Sequence, residues 1–431
     1  MLTRTGYLRP VDSELKKTLT VRALPSGDFP APAPFKVYRE KGDRMSVPRY
    51  FPVEPVQRDT RPEPHRANIH TSAGPQSDIQ REAIQKGIRA LDTVGGGVLS
   101  LPCGFGKTFC AITLAAHFKV RTMVVVHKEF LATQWEEQIK RFCPGTTVGR
   151  VQCDRLELNN DVVIALIQTM SQRTYPLGTF DSIGLLIVDE AHHVCARAFS
   201  QFLFKLCPKY TLGLTATPER KDGLTRLLYW FLGPSFLCVE RTGQDAEVRV
   251  VEYHGPFPEV ATTRFGKLSL PTMITDLSEC RERNEQLCTL IDELLNTTTR
   301  NILLLTDRRC HAHFFIERYP HDAGLYIGGL TDEHRETSSL KRLIIATFGL
   351  AQEGLDIPKL DTVILATPKS DIKQAVGRIL RGGSINPPLV YDVVDHWCVF
   401  YAMAQKRKKM YREMQFVLPG EEVGPPRVCL L

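Results

Sequence analysis

Residues 101–108, Leu-Pro-Cys-Gly-Phe-Gly-Lys-Thr, lie between two apolar runs, GGGVLS and FCAITLAAHF. A phosphate-holding loop needs glycines so that backbone N–H groups can approach phosphate oxygens. It also needs a lysine to reach the β- and γ-phosphates and a hydroxyl for Mg2+. Gly104 and Gly106 offer the approach, Lys107 the charge and Thr108 the hydroxyl, with Pro102, Cys103 and Phe105 completing the loop. Leu101 stands where the pattern G-x-x-x-x-G-K-[ST] has its first glycine. A second group ends the apolar run LLIVDEAHH. There Asp189 can hold Mg2+ through water and Glu190 can polarise an attacking water. A DE pair alone could also be the acidic start of a helix, stabilised by the helix dipole.

These groups need rigid elements to hold them. From about residue 75, strand-like runs (GGGVLSLP, TMVVVH, DVVIALIQ, IGLLIVDE, YTLGLTAT) alternate with helical stretches such as KTFCAITLAAHF and EFLATQWEEQIKRF. A second series starts near residue 300: NILLLTD, AGLYIG, RLIIATF, DTVILATP and LVYDVVD, with RRCHAHFFIERY and DIKQAVGRILR as helices. Such alternation implies parallel sheets covered by helices on both faces. The chain therefore reads as α/β, with two similar domains at 71–235 and 301–415. A partly helical connecting region, 236–300, carries SECRERNEQLCTLIDELLN. Residues 1–70 are basic and hold prolines at 10, 25, 30, 32, 34, 48, 52, 55, 62 and 64, which rules out long helices there. They read as an irregular arm lying on the main body. Residues 416–431 read as a loose tail, and KRKKMYR at 406–412 as a solvated helix face.

The bulk numbers exclude several classes. With 431 residues, 43% hydrophobic and 24% charged, the chain can build two or three domains with real cores. No apolar run reaches bilayer length, and MLTRTGYLRPVDSELKK has no signal-peptide core, so the expectation is an intracellular protein with no membrane partner. The twelve cysteines include no C-x-x-C pair, and the terminal CLL is no prenylation box. Scattered thiols of this kind point to core residues, with no structural metal. A net charge of +7 permits a nucleic-acid partner without demonstrating one.

The loop and DEAH together resemble superfamily 2 helicases and translocases, and further motifs follow in that family's order over residues 76–385. VVVHKEFLATQW resembles motif Ia, IQTM motif Ib, GLTATPERKDG motif III, NILLLTDRR motif IV, IIATFGLAQEGLDIP motif V and QAVGRILR motif VI. LPCGFGKT with its leucine, TATPERKDG and QAVGRILR look like the XPB-type DEAH proteins that act on duplex DNA. VVVHKEFLATQW, LLLTDRR and YIGGL look closer still to helicases of large cytoplasmic DNA viruses, a group that includes the poxvirus transcript-release helicase. On this resemblance the fold is two tandem RecA-like domains, the cofactors are ATP and Mg2+, and Leu101 is a subfamily feature.

The same resemblance implies roles for single residues. Gln80 matches the glutamine that reads the adenine edge, with Gln76 as the alternative. Pro102, Cys103, Gly104, Phe105, Gly106, Lys107 and Thr108 match the phosphate loop, and Thr108 and Asp189 the metal site. Glu190 matches the catalytic base. Thr215, Ala216 and Thr217 match the residues that couple nucleotide to domain closure. Gly354 and Asp356 match motif V, where the aspartate reaches the ribose. Gln374, Arg378 and Arg381 match motif VI, where arginines touch the γ-phosphate and make hydrolysis depend on closure. Lys128, Gln168, Thr169, Arg308 and Thr347 are the candidates for gripping nucleic-acid phosphates.

The implied activity is that of an ATP-driven DNA helicase or translocase, in transcript release or repair, with duplex DNA favoured and an RNA polymerase or transcription complex as partner. An RNA helicase, or an ATP-dependent clamp on a polymerase complex, stays open. A viral source would place it in the virion or host cytoplasm, and the nucleus stays open as well.

Overall fold

A computed structural model describes residues 1–24, 32–52, 58–102, 104–196, 200–216, 219–220, 222–239, 246–355, 357–377, 379 and 386–420. The side chains of Val194, Asp332, Gln352, Glu353, Gly354 and Gln374 lie outside that description. The chain forms two compact units, Met1–Glu240 and Arg241–Leu431.

The main sheet of the first unit has eight strands among the described residues. From edge to edge they are Arg155–Leu156, Val148–Gln152, Val162–Leu166, Thr122–Val126, Leu185–Val188, Tyr210–Thr215, Gly96–Ser100 and Ser235–Cys238. All neighbours are parallel except the first pair. Successive side chains of a strand face opposite sides, and the core divides accordingly. Val98, Met123, Val125, Leu186 and Val188 join one hydrophobic cluster, while Leu99, Val124, Val126, Leu185 and Ile187 join another. Sheets buried on both faces need such continuous apolar runs. Helices Lys107–Phe118 and Glu129–Phe142 follow the strands as the sequence implies.

Residues 1–70 are not an irregular arm. Strands Leu2–Thr3, Gly6–Pro10, Arg44–Val47 and Arg39–Lys41 form an antiparallel sheet, and Thr20–Val21 pairs with Phe35–Lys36. Leu19, Tyr38, Met45, Val47 and Phe51 make a small core of their own. Val21, Phe35 and Val37 belong to a core cluster of the main sheet. Polar contacts fasten the rest: Arg39 Nη2 donates to Gln201 O (2.8 Å), Arg49 Nη1 to Pro208 O and Lys209 O (both 2.9 Å), and Arg61 Nη1 to Pro208 O (2.6 Å). Tyr50 Oη lies 2.9 Å from Thr211 Oγ1. Gly96 permits that contact, because a Cβ there would sit 2.2 Å from both oxygens. The proline argument does hold for helices here: the one described helix, Ser13–Thr18, is six residues long.

The second unit has a six-stranded, wholly parallel sheet among the described residues. Its order is Glu247–Tyr253, Leu389–Asp395, Thr362–Leu365, Ile302–Thr306, Leu343–Thr347 and Ala323–Tyr326. Together the two units give the α/β class with parallel sheets flanked by helices that the sequence implies. The 236–300 segment is not a separate connector. Ser235–Cys238 is the edge strand of the first sheet and Glu247–Tyr253 the edge strand of the second. Its helical stretch is two helices, Leu270–Glu279 and Arg281–Thr297, broken at Cys280, whose backbone is extended. The start of the tail is also packed: Phe416 and Leu418 are buried, and Val417 exchanges backbone hydrogen bonds with Ala246 and Val248.

Two arginines are core residues, one of them inside the run that reads as a solvated helix face. Arg407, inside KRKKMYR, is buried and donates to Asp392 Oδ1 (2.8 Å), Lys369 O (2.9 Å) and Val393 O (3.0 Å). Arg283 is buried and grips buried Asp395 with both prongs (2.6 and 3.0 Å), while Nη1 donates to Ala366 O (2.8 Å). Removing one member of a buried pair strands the other charge, at a cost of about 3–5 kcal/mol. Arg283→Ala should lower the unfolding free energy of this unit by that amount in urea titration. An Arg283→Leu/Asp395→Leu double variant should recover most of it. A single variant within about 1 kcal/mol of wild type would contradict the assignment.

His311 gives the same unit a pH dependence. Its Nδ1 lies 3.0 Å from Thr306 Oγ1 and its Nε2 3.0 Å from Asn284 Oδ1. The amide oxygen accepts only, so Nε2 carries the proton and Nδ1 accepts from the threonine. Burial pushes the imidazole down to about 3, with the nearby Arg283 charge acting the same way. Between that value and the unfolded histidine value of about 6.5, the unfolded chain binds a proton that the native one does not. The stabilisation is therefore full above pH 6.5 and falls with pH below it, by up to about 1.4 kcal/mol per unit. The melting temperature should drop between pH 7.5 and 5.5, and less so in His311→Gln. Equal slopes for the two proteins would refute the attribution.

Candidate nucleotide-binding site

Three adjacent strands of the first sheet end side by side. Thr215, the last residue of Tyr210–Thr215, is in register with Ser100, and Gly213 with Val188. The 101–108 loop, Asp189–Glu190 and Thr215–Ala216 therefore leave the same edge of the sheet. The carboxyl edge of a parallel sheet is where ligands bind in open α/β folds.

The loop is tied to that edge through backbone. Leu101 N donates to Thr215 O (3.2 Å), and Leu101 O accepts from Lys107 Nζ (3.0 Å). The Leu101 side chain is fully buried in the core. A leucine is thus accommodated at the first position because it faces the core. Gly104 and Gly106 sit at φ +87° and +81°, in the left-handed region that favours glycine. A Cβ on Gly106 would lie 2.4 Å from Gln80 Nε2. Gln80 itself is buried; its Nε2 donates to Phe105 O (3.3 Å) and its Oε1 accepts from Gln76 N (2.8 Å). The nitrogen end of this amide therefore braces the loop, while the oxygen end holds the backbone just before its own helix. Pro102 and Phe105 are half-buried, Lys107 and Thr108 open the helix, and Cys103 lies outside the described residues.

Asp189 is held from two sides. Trp135 Nε1 donates to Oδ2 (2.8 Å) and Glu190 N to Oδ1 (2.9 Å). Burial, then the charge of Glu190, raises the Asp189 carboxyl, with the indole hydrogen bond and Lys107 acting in the opposite sense. A bound cation would offset both raising effects. The hydroxyl of Thr108 and the Asp189 carboxylate are hard oxygen donors that suit Mg2+. Glu190 adopts φ 44°, ψ 53°, a left-handed conformation uncommon for a non-glycine residue. Its Oε2 is buried with no hydrogen-bond partner among the described residues, and lies 3.5 Å from His192 Nδ1. A strained carboxylate with an unused oxygen fits a residue that handles a water. His192 Nδ1 is also 3.3 Å from Thr215 Oγ1, so it bridges the Asp189–Glu190 turn to the next strand. Burial keeps this imidazole neutral, pushed down to about 4. Arg220, paired with Asp222, donates Nη1 to His192 O (2.6 Å) and fixes the turn from outside.

Trp135, His192 and Arg220 escaped the sequence argument. Trp135 shares the buried face of its helix with Leu131 and Ile139. A buried indole N–H needs an acceptor, which was the available signal. Nothing local in the sequence named Asp189 as that acceptor.

The remaining candidates divide. Thr217, Asp356, Arg378 and Arg381 lie outside the described residues, and Gly354 and Gln374 are placed by backbone only, within or beside short helices. Lys128 is half-buried at the start of the Glu129–Phe142 helix, with its amine over the Phe130 ring. Gln168 Nε2 donates to His127 O (2.7 Å), and Thr169 follows in the short Ile167–Gln172 helix. Arg308 is committed within its own unit, donating to Thr275 Oγ1 (2.8 Å), Pro271 O (2.5 Å) and Asp307 O (3.0 Å). Thr347 begins the Phe348–Gly354 helix. Gln168 and Arg308 therefore each spend their side-chain donors within their own unit in this state.

Comparison with known proteins decides the family. Residues 75–220 match the family model of the Res subunit of type III restriction enzymes. A protein of Acanthamoeba polyphaga mimivirus, L396, named as a candidate ATP-dependent RNA helicase, is 32% identical over 430 residues, covering 91% of this chain and 81% of that one. The chain belongs to the superfamily 2 helicases of large DNA viruses. This helicase is also similar to a candidate helicase of invertebrate iridescent virus 6, 161L, at 27% identity over 78% of this chain and 80% of that one. A candidate ATP-dependent RNA helicase of African swine fever virus, QP509L, is 24% identical over 79% and 73%. Among solved structures, T4 UvsW covers 81% of the helicase and 78% of its own chain at 18% identity, with a TM-score of 0.33. No described helix is long and apolar enough to cross a membrane.

Proposed function

We propose that this helicase couples ATP hydrolysis to movement along duplex DNA, in transcript release or repair. The observation that carries the ATPase half is the convergence of the glycine loop, the strained Glu190 and Thr215 on neighbouring strand ends. Lys107 and the loop N–H groups bind the phosphates, Thr108 and Asp189 hold Mg2+, and Glu190 orients and deprotonates the attacking water. Mg2+, when bound, neutralises charge on the β- and γ-phosphates. Arg378 and Arg381 stabilise the charge that develops on the γ-phosphate, Asp356 reaches the ribose, and Gly354 and Gln374 complete those motifs. Thr215, Ala216 and Thr217 pass the nucleotide state on, His192 being the link from Glu190 to Thr215. The preference for DNA rests on the XPB-type motifs, which also make an RNA polymerase complex the partner.

A second reading, an RNA helicase, is favoured by the names of the mimivirus and African swine fever virus relatives. Phosphate release should be measured with no polymer, duplex DNA, single-stranded DNA and RNA, at two salt concentrations, with Glu190→Gln as the control. Phosphate contacts weaken steeply with salt, so genuine stimulation falls as salt rises. Strongest stimulation by duplex DNA is the expected result. RNA-selective stimulation would replace it with the second reading, and none at all would favour a clamp.

A further inference from the structure

Outside the nucleotide site, the second sheet brings together three residues with metal-binding chemistry. Strands Glu247–Tyr253 and Leu389–Asp395 run parallel, with Tyr253 in register with Asp395 and Glu252 with Val394. His254 and His396 are the residues that follow these two strands, so they stand side by side. Glu252, two residues before His254, shares its face. The imidazole rings stack with centroids 4.1 Å apart and 25° between planes. Glu252 Oε2 lies 3.3 Å from His254 Nε2, and Oε1 lies 3.9 Å from His396 Nε2. One ligand atom from each residue falls within 4.8 Å of the others. His396 Nε2 is buried, yet has no hydrogen-bond partner among the described residues. Leaving such an atom unpartnered costs free energy, and a metal would relieve it.

We propose that Glu252, His254 and His396 bind a divalent transition-metal ion, with Zn2+ the best chemical match and at least one position open to water. Two imidazoles and a carboxylate suit Zn2+, whereas Mg2+ and Ca2+ take oxygen donors. Tetrahedral Zn2+ with bonds of 2.0–2.1 Å sets its donors about 3.3 Å apart. One donor pair already has that separation, and the others close by side-chain rotation. The backbone beneath is fixed: His396 N donates to Tyr253 O (3.0 Å), and Asp395 is clamped by Arg283. The side chains of Glu252 and His254 are 57% and 65% exposed, which leaves room for rotation and for water. A metal here would pin the segment leaving the edge strand to its neighbour. The cysteine-based expectation of no structural metal could not see this site, because register rather than sequence spacing assembles it.

The full chain, stripped with chelator and free of nucleotide and Mg2+, should be titrated with Zn2+ in competition with a chromogenic chelator. Wild type should bind one Zn2+ that His254→Ala and His396→Ala each weaken at least tenfold. Zn2+ should raise the melting temperature of wild type but not of the double variant. Glu252→Gln, at an exposed position, should weaken binding several-fold without altering the metal-free melting temperature, which separates loss of a ligand from loss of fold. Equal Zn2+ affinity in wild type and the His254→Ala/His396→Ala protein would overturn the proposal. So would no binding by wild type, which would leave Glu252 and the imidazoles as a simple ion-pair cluster.

Discussion

Lys107→Ala should hydrolyse ATP about 1,000-fold more slowly than wild type or worse, a loss of roughly 4 kcal/mol of transition-state stabilisation. Its folding stability should barely change. Among the described residues the half-buried Lys107 amine makes one hydrogen bond, to Leu101 O. A neutral-acceptor bond of that kind contributes about 0.5–1.5 kcal/mol net. The two effects therefore differ enough to be told apart: steady-state phosphate release collapses while the melting curve stays within a few degrees. Near-normal ATPase in Lys107→Ala would sink the assignment of the loop to phosphate binding.

Glu190→Gln should separate binding from chemistry. The change is nearly isosteric, and glutamine meets the same left-handed backbone as glutamate, so the contrast lies in the charge. Loss of the base should slow turnover by about 100- to 10,000-fold. ATP affinity should hold or improve. Removing the Glu190 charge lifts its repulsion of the γ-phosphate, and with it one of the causes that raise the Asp189 carboxyl. Fluorescent-nucleotide titration and single-turnover hydrolysis measure the two halves independently. Turnover within threefold of wild type would move the water-activating role to another residue.

What could be read in advance followed from run length. Strands such as Thr122–Val126 and Ile302–Thr306 each hold four consecutive apolar residues, enough to announce buried parallel sheet, and the candidate site residues lie where such strands stop. The loop, Asp189 and Glu190 were legible for that reason. The sheet in residues 1–70 was not, because strands of two to five residues among prolines carry too little alternation to register. Arg407 failed differently, and Arg283, on which the sequence offered no reading, is the same physical case. A charged residue in a polar helix looks solvated until a partner such as Asp395 or Asp392 is brought to it by the fold. Gln80 adds a contact that a motif match does not supply: beside the adenine recognition it suggested, the amide nitrogen donates to the phosphate-loop carbonyl of Phe105.

The N-terminal sheet bears on how this kind of motor can change hands between chains. The signature residues of the first unit begin near Gln80, and a shuffled gene segment carrying 75–220 would take nearly all of the first set of motifs with it. It would leave behind Val21, Phe35 and Val37, each a buried member of the cluster beneath the main sheet. At about 1.5–3 kcal/mol per buried side chain, that omission rivals the entire stability of an ordinary domain. The heritable cassette is therefore longer than its motifs, and a recipient chain that lacked a matching cover for that face would acquire the chemistry without a body able to hold it.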